Sequence, residues 1–410
     1  MRRLAFLALG VLLIASSAST ARAACTSCIG PDPSFAYNDL DNDGCYNGLI
    51  DSASINAALL AGLFTAPIGT SIVVPQSVKL RPASGVAVNW TALNITVRGQ
   101  VTTLNADLEL HGLAGTINVC DKGDLIAGNN LTVAADLGVD LGERVNLRAR
   151  EGAMSVATLV AGDVTVGLKT TLLARTDIDV SAVDTLFIAD KANIDADDPG
   201  VVTLSTTLST IALGEKVTLR GAGVVVAAGS TLTTERMLRV ITAGVTSLTS
   251  NAGLINLGAR AKLRSDAGLA MTALGDITVG LKGKLLFDGG TFDVVTTTGG
   301  LTIQKATRLK DGTICDLDVA GPMIVNLRTR LECDTSYAFT SPSPITLMRT
   351  KVFGPSGSVT STASDVSLSD NVFKGDDTGA VAVSGVNCIL TDNKFKKIAL
   401  DSSGCGSVVP

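Results

Sequence analysis

Along most of this chain apolar and polar residues alternate over three to five positions, stop at a small residue, and then resume. Gly162 to Leu173 reads GDVTVGLKTTLL and Gly275 to Leu286 reads GDITVGLKGKLL, the same sentence twice. Its skeleton is apolar, any, apolar, small, any, Lys or Arg, two more residues, then Leu. Anchored on the second apolar residue, the skeleton recurs at Val74, Val97, Val119, Leu141, Val166, Ile188, Leu213, Leu257, Val279, Ile303 and Val325. The intervals run from 22 to 25 residues except for one of 44, which holds two periods and one coil too altered to match. Two positions before every anchor stands another apolar residue, from Ile72 to Met323, and six positions after most anchors comes Leu or Ile. Alternation with period two on both sides of a turn predicts short strands with one inward face. A repeat near 22 is too short for a helix pair and lacks the Asn or Cys of leucine-rich repeats. It predicts one turn of a parallel β-helix.

The last coils change wording. Val366 to Lys374 reads VSLSDNVFK, and Cys388 to Lys396 reads CILTDNKFK. This resembles the right-handed parallel β-helix superfamily that includes pectate-lyase-like proteins, over roughly Ile72 to Leu400, in coil pattern and without a catalytic signature. The resemblance implies an all-β, right-handed parallel β-helix (solenoid) of about 22-residue coils. Asn371 and Asn393 are expected in equivalent turns, stacked as a side-chain ladder. A solenoid end exposes strand edges and an open core, so both ends need covers. Residues 51–64 read as a short N-terminal cap helix with Asp51 or Ser52 as N-cap. The tail after Phe395 is expected to close the other end, pinned if Cys388 pairs with Cys405. The expected division is a leader over 1–23, a Cys-containing cap over 24–66, the β-helix over 67–400 and a tail over 401–410.

The leader, MRRLAFLALGVLLIASSASTARA, has two arginines ahead of an apolar run and a small-residue box at Ala21-Arg22-Ala23, so it reads as a secretory signal peptide. The expected location is outside the cytoplasm: extracellular, periplasmic or on the cell surface. No later stretch is apolar and long enough to span a bilayer as a helix. Eight cysteines fit an oxidising compartment, with Cys315–Cys333 and Cys388–Cys405 as the short-range pairings. The chain is 46% apolar but only 3% aromatic, so its core is expected to be stacked aliphatic residues. The formal charge is −5, and removing the three leader arginines makes it about −8, which suggests no general affinity for nucleic acid.

Three groups of residues carry candidate chemistry. In NDLDNDGCYNG, Asp39, Asp41, Asp43 and Gly44 match the first half of an EF-hand loop, where alternate carboxylates converge on a hard cation. Ile50 stands where an EF-hand has its bidentate Glu, and with Cys45 the segment is more similar to the loops of thrombospondin type 3 repeats. It is expected either to hold a structural Ca2+ or to be a solvated acidic turn. The second group is a basic stripe. Lys122, Arg144, Lys169, Lys191, Lys216, Arg260, Lys282 and Arg328 lie three residues after their anchors, and Lys262, Lys284, Arg308 and Arg330 lie five after. From Leu257 to Lys351 the chain carries twelve bases and nine acids, a local excess of cations in an acidic protein. Charged turns keep strand stacks soluble. They also suit an anionic cell-surface or extracellular polysaccharide, for which Lys282, Lys284, Arg308, Arg328 and Arg330 are the binding candidates.

The third group is catalytic. Asp177 and Asp179, with Asp195, Asp197 and Asp198 on the next coil, are the carboxylates expected for acid/base work on a polysaccharide. The sequence offers them no convincing catalytic partner, since the one histidine, His111, lies several coils away. Threonine pairs such as Thr170-Thr171 fall at differing coil positions, against an ice-binding array. The sequence therefore predicts an exported, non-catalytic surface or adhesive solenoid. The alternative is a polysaccharide lyase or glycoside hydrolase. Between the twin phrases, Thr170-Thr171 against Gly283-Lys284 is expected to differ on turn and outward positions.

Overall fold

The computed structural model describes residues 64–65, 72–74, 76 and 79–409. The acidic loop with Asp39, Asp41 and Asp43, the leader and the expected cap helix fall outside these residues, except that Phe64 belongs to the strand Phe64–Thr65. Every helix or strand among the described residues is a strand. The fold is an all-β parallel β-solenoid with coils of about 22 residues. The described residues divide into two compact units, those up to 183 with 187–193, and 184–186 with those from 194 onward.

In the first unit, Leu131–Ala135 lies between Leu108–Gly112 and Met154–Thr158, each residue beside its counterpart one coil away. Burial alternates along Leu108–Gly112 and Met154–Thr158, while Leu131–Ala135 is buried at every position but Thr132, and inward residues stack on inward residues. Ile117, Val139 and Val164 form one column, and Val119, Leu141 and Val166 another, none more than 2% exposed. The alternation read from the sequence is thus the alternation between core and surface. Burying such a side chain contributes about 1.5–3 kcal/mol, so the columns, not aromatic clusters, hold the unit together.

The second unit repeats the scheme. Ile255, Ile277, Leu301, Met323, Ile345, Val366 and Cys388 form one in-register inward column, all fully buried. The coil missing from the pattern is present as Leu232–Thr234, and Thr234 takes the anchor position opposite Leu213. Its hydroxyl accepts from the Gly258 N–H at 2.9 Å, so a polar side chain fits an inward site without an orphaned group.

In the final coils Asn371 is fully buried and accepts from the Thr350 N–H at 2.8 Å. Its own N–H and Nδ2 both donate to Asn393 Oδ1 at 3.0 Å, so the expected asparagine ladder is present. Beside it Phe373 and Phe395 stack with ring centroids 5.2 Å apart. Both expected disulfides form, Cys315–Cys333 and Cys388–Cys405. The tail adds a further strand, Ala399–Val409, beside Ala380–Thr391, with Leu400, Val408 and Val409 exposed.

Replacing Asn371 by Ala would leave the buried Thr350 N–H without its acceptor, which costs about 1–3 kcal/mol. Thermal unfolding of Asn371→Ala should show the second unit melting several degrees lower. A melting temperature within one degree of the parent would mean that the ladder does not stabilise these coils.

Candidate functional site

The turn after each anchor explains the basic stripe. The residue three after the anchor has a left-handed backbone: Lys122 (φ 63°), Arg144 (58°), Lys169 (57°) and Lys191 (60°) in the first unit, and Lys216 (62°), Arg260 (61°), Lys282 (58°) and Arg328 (63°) in the second. This conformation turns the N–H along the stack. Lys122 N donates to Glu143 O at 2.9 Å and Arg144 N to Leu168 O at 2.8 Å; likewise Arg260 N donates to Leu281 O at 2.8 Å and Lys282 N to Lys305 O at 3.1 Å. The small residue of the skeleton is needed because neighbouring turns touch. A Cβ on Gly280 would lie 2.6 Å from Leu257 O.

For an L-residue the left-handed conformation costs roughly 1–2 kcal/mol, and glycine or asparagine is the usual solution. Here the turns carry lysine or arginine, all with exposed side chains. In the last coils the position passes to Asp370 (φ 56°) and Asp392 (φ 53°). The backbone gains nothing from a cation at this site.

Two positions later the outward residue begins the next strand. In the second unit Arg239 lies beside Lys262, Lys262 beside Lys284, Lys284 beside Arg308, Arg308 beside Arg330, and Arg330 beside Lys351. All six are exposed. Adjacent strands lie about 4.8 Å apart, and two like charges at that spacing in water repel by about 1 kcal/mol. Among the described residues no carboxylate lies within ion-pair distance of Arg239, Lys262, Lys284 or Lys351. Arg308 and Arg330 share Glu332, which is only 8% exposed; the Arg308 contact is 3.8 Å. The Arg330 guanidinium also lies 4.6 Å from the centroid of the Phe353 ring. Beside it opens a cleft of about 350 Å³ lined by Arg330, Glu332, Phe353, Lys374 and Asp376 among others.

All five predicted binding residues therefore belong to the second unit: Lys282 and Arg328 in turns, Lys284, Arg308 and Arg330 in the strand column. The sequence pattern missed Arg239 and Lys351 at the ends of that column, and Arg236, Lys305 and Arg349 near the turns. Arg236 and Arg239 belong to the coil anchored on Thr234. Lys351 and Arg349 follow Leu347, past the last recognised anchor. The twin phrases differ at the end of the turn and at the outward position that follows it. Thr170 is fully buried, its hydroxyl donating to Gly142 O at 2.7 Å, and Gly283 is buried at the same place. That difference is a packing change, and only Thr171 against Lys284 is an outward one.

The candidate catalytic carboxylates fall on both units, Asp177 and Asp179 on the first and Asp195, Asp197 and Asp198 on the second. In the first unit Asp179 points outward beside Ser155, and partial desolvation raises its pKa. In the second, burial raises the Asp195 pKa, Arg220 at 3.6 Å lowers it and Asp197 raises it, so the strongest neighbour of Asp195 is a paired cation. Asp177, Asp197 and Asp198 are exposed. His111 Nε2 lies 3.7 Å from Glu109 on its own strand. No group of three or more His, Cys, Asp or Glu side chains able to hold a metal ion occurs among the described residues. Comparison with family models, with curated proteins and with solved structures finds no match to this chain.

The most perturbed carboxylate lies elsewhere. Asp140, outward on the strand Gly138–Leu141 between Asn118 and Thr165, has its pKa pushed up to about 6, first by burial and then by the charge of Asp121. The native protein keeps this proton where the unfolded chain has lost it. Stability from Asp140 is therefore full below about pH 4, falls as pH rises to about 6, and is flat above. Asp140→Asn should leave stability at pH 4 unchanged and raise it at pH 7.5 by up to about 3 kcal/mol in denaturant titrations. Equal stability of the two proteins at pH 7.5 would contradict the assignment.

The turns allow a separate check. Lys282→Gly should melt at or above the parent temperature, because glycine accepts φ near 58° freely, whereas Lys282→Val should lose 1 kcal/mol or more. Destabilisation by glycine equal to that by valine would show that the lysine side chain serves the fold.

Proposed function

We propose that this protein is an exported, non-catalytic β-solenoid that acts as a surface or adhesive element by binding an anionic polysaccharide along its basic stripe. One observation carries the reading: cations occupy left-handed turns whose backbone does not require them and an in-register column in which like charges stand side by side, with Glu332 offsetting only the Arg308 and Arg330 rungs. A polyanion relieves that repulsion and releases its own counterions, so its binding is favoured and weakens with salt. Export is supported by the leader sequence and by two disulfides, which persist in oxidising compartments. No helix among the described residues is long and apolar enough to cross a membrane. The likeness of the coil pattern to pectate-lyase-like proteins adds the solenoid scaffold; the binding chemistry comes from this chain's own cations. A structural Ca2+ held by Asp39, Asp41 and Asp43 belongs to the same reading as a stabiliser of the N-terminal region.

The test is binding to immobilised acidic glycans by biolayer interferometry, with a neutral glucan as control. The parent should bind the acidic surface with an affinity that falls steeply as salt is raised. The combined variant Lys282→Glu, Lys284→Glu, Arg328→Glu and Arg330→Glu should lose at least tenfold while keeping its circular dichroism and melting temperature. Unchanged binding by this variant would refute the stripe as the site. Release of unsaturated or reducing sugar from the glycan would favour the lyase or hydrolase alternative.

A further inference from the structure

The strand column has a defined length and a fixed spacing. It begins at Arg239, whose neighbour on the preceding coil is Thr218, and ends at Lys351, whose neighbour on the following coil is Val372. Between these uncharged ends stand six cations on six consecutive coils, each directly beside the next without a register shift at those positions. Backbone hydrogen bonds set the spacing at about 4.8 Å, so side-chain packing cannot stretch or compress it. Glu332 ties down the Arg308 and Arg330 guanidiniums, and the Phe353 ring supports Arg330. These two rungs are pre-oriented. The turn column is less regular, since Met237 and Ala306 interrupt its cations.

Orientation follows from this layout. A polymer crossing the stack would meet the cations of one coil, such as Lys282 and Lys284, and little more. A polymer lying along the stack meets all six rungs. Resting on the polyanion reading above, we infer that the bound polysaccharide lies lengthwise on the column, one anionic sugar to each coil. The ligand class is a linear glycan with a single charge per residue repeating near the coil spacing. Single-stranded nucleic acid fits less well. Its binding sites add aromatic platforms for the bases, and the Phe353 ring, the aromatic side chain found beside this column among the described residues, already carries the Arg330 guanidinium.

The experiment uses the full chain and size-defined oligouronates of two to eight residues in competition binding at low salt. Each added residue up to six should tighten binding about two- to fivefold, the range of an exposed ion pair, and further residues should add nothing beyond statistics. The hexamer should show a slope near −4 in log affinity against log salt, as expected for about six contacts to a single strand. Lys351→Gln should move the plateau to five residues. Thr218→Lys adds a rung and should move it to seven, a gain that misfolding cannot imitate. If long acidic glycans bind with salt dependence but the length series shows no step, or Thr218→Lys leaves it in place, the lengthwise register is wrong while the polyanion reading stands. If an oligonucleotide of six charges binds as tightly as the hexauronate, the selection for spacing is overturned. If no polyanion binds, both inferences fall.

Discussion

The hydrogen bond between one coil and the next governs this molecule. Parallel pairing in register places most strand residues beside their counterparts one coil away, so what the sequence writes at such a coil position it writes as a column. Inward columns become a core of Ile, Leu and Val that needs few aromatic rings. Outward columns become surfaces of uniform chemistry whether or not that uniformity is favourable. For apolar residues stacking like on like is stabilising. For lysine and arginine it is not, and that asymmetry separates the positions that maintain the fold from those that do something else.

The turn shows the two demands meeting within five residues. Gly280 admits the neighbouring backbone, Lys282 takes a left-handed conformation and points outward, Gly283 is buried, and Lys284 resumes the strand. Close approach forces the first glycine. The conformation of Lys282 is dictated but its identity is not. At Arg308 and Arg330 a nearly buried glutamate restrains both cations, so this part of the surface is stiffer than the freely solvated Lys262 and Lys284.

Most of the architecture could be read from the chain because a repeat states its own spacing. The anchors fall on inward columns, Asn371 and Asn393 form their ladder, and the two short-range disulfides close, each from a pattern visible within one or two coils. What escaped the reading shares one cause: a side chain whose role depends on the neighbouring coil. Thr234 occupies an aliphatic site because Gly258 offers it an N–H, and Thr170 turns inward because Gly142 offers it a carbonyl. Arg239 belongs to a column whose coil the aliphatic pattern could not recognise. Asp140 is perturbed by Asp121 and by the surface it lies on, neither of which alternation reports.

The Gly-x-Lys/Arg turn has a further consequence. Because each turn donates to the one after it through the same backbone geometry, a coil makes the same demand on both neighbours and can be copied between them without redesigning either. Duplication of such a unit lengthens the molecule and its row of charges in one step, and loss of a unit shortens both. The length of the stack can then change through copy number alone, with no new side chain invented.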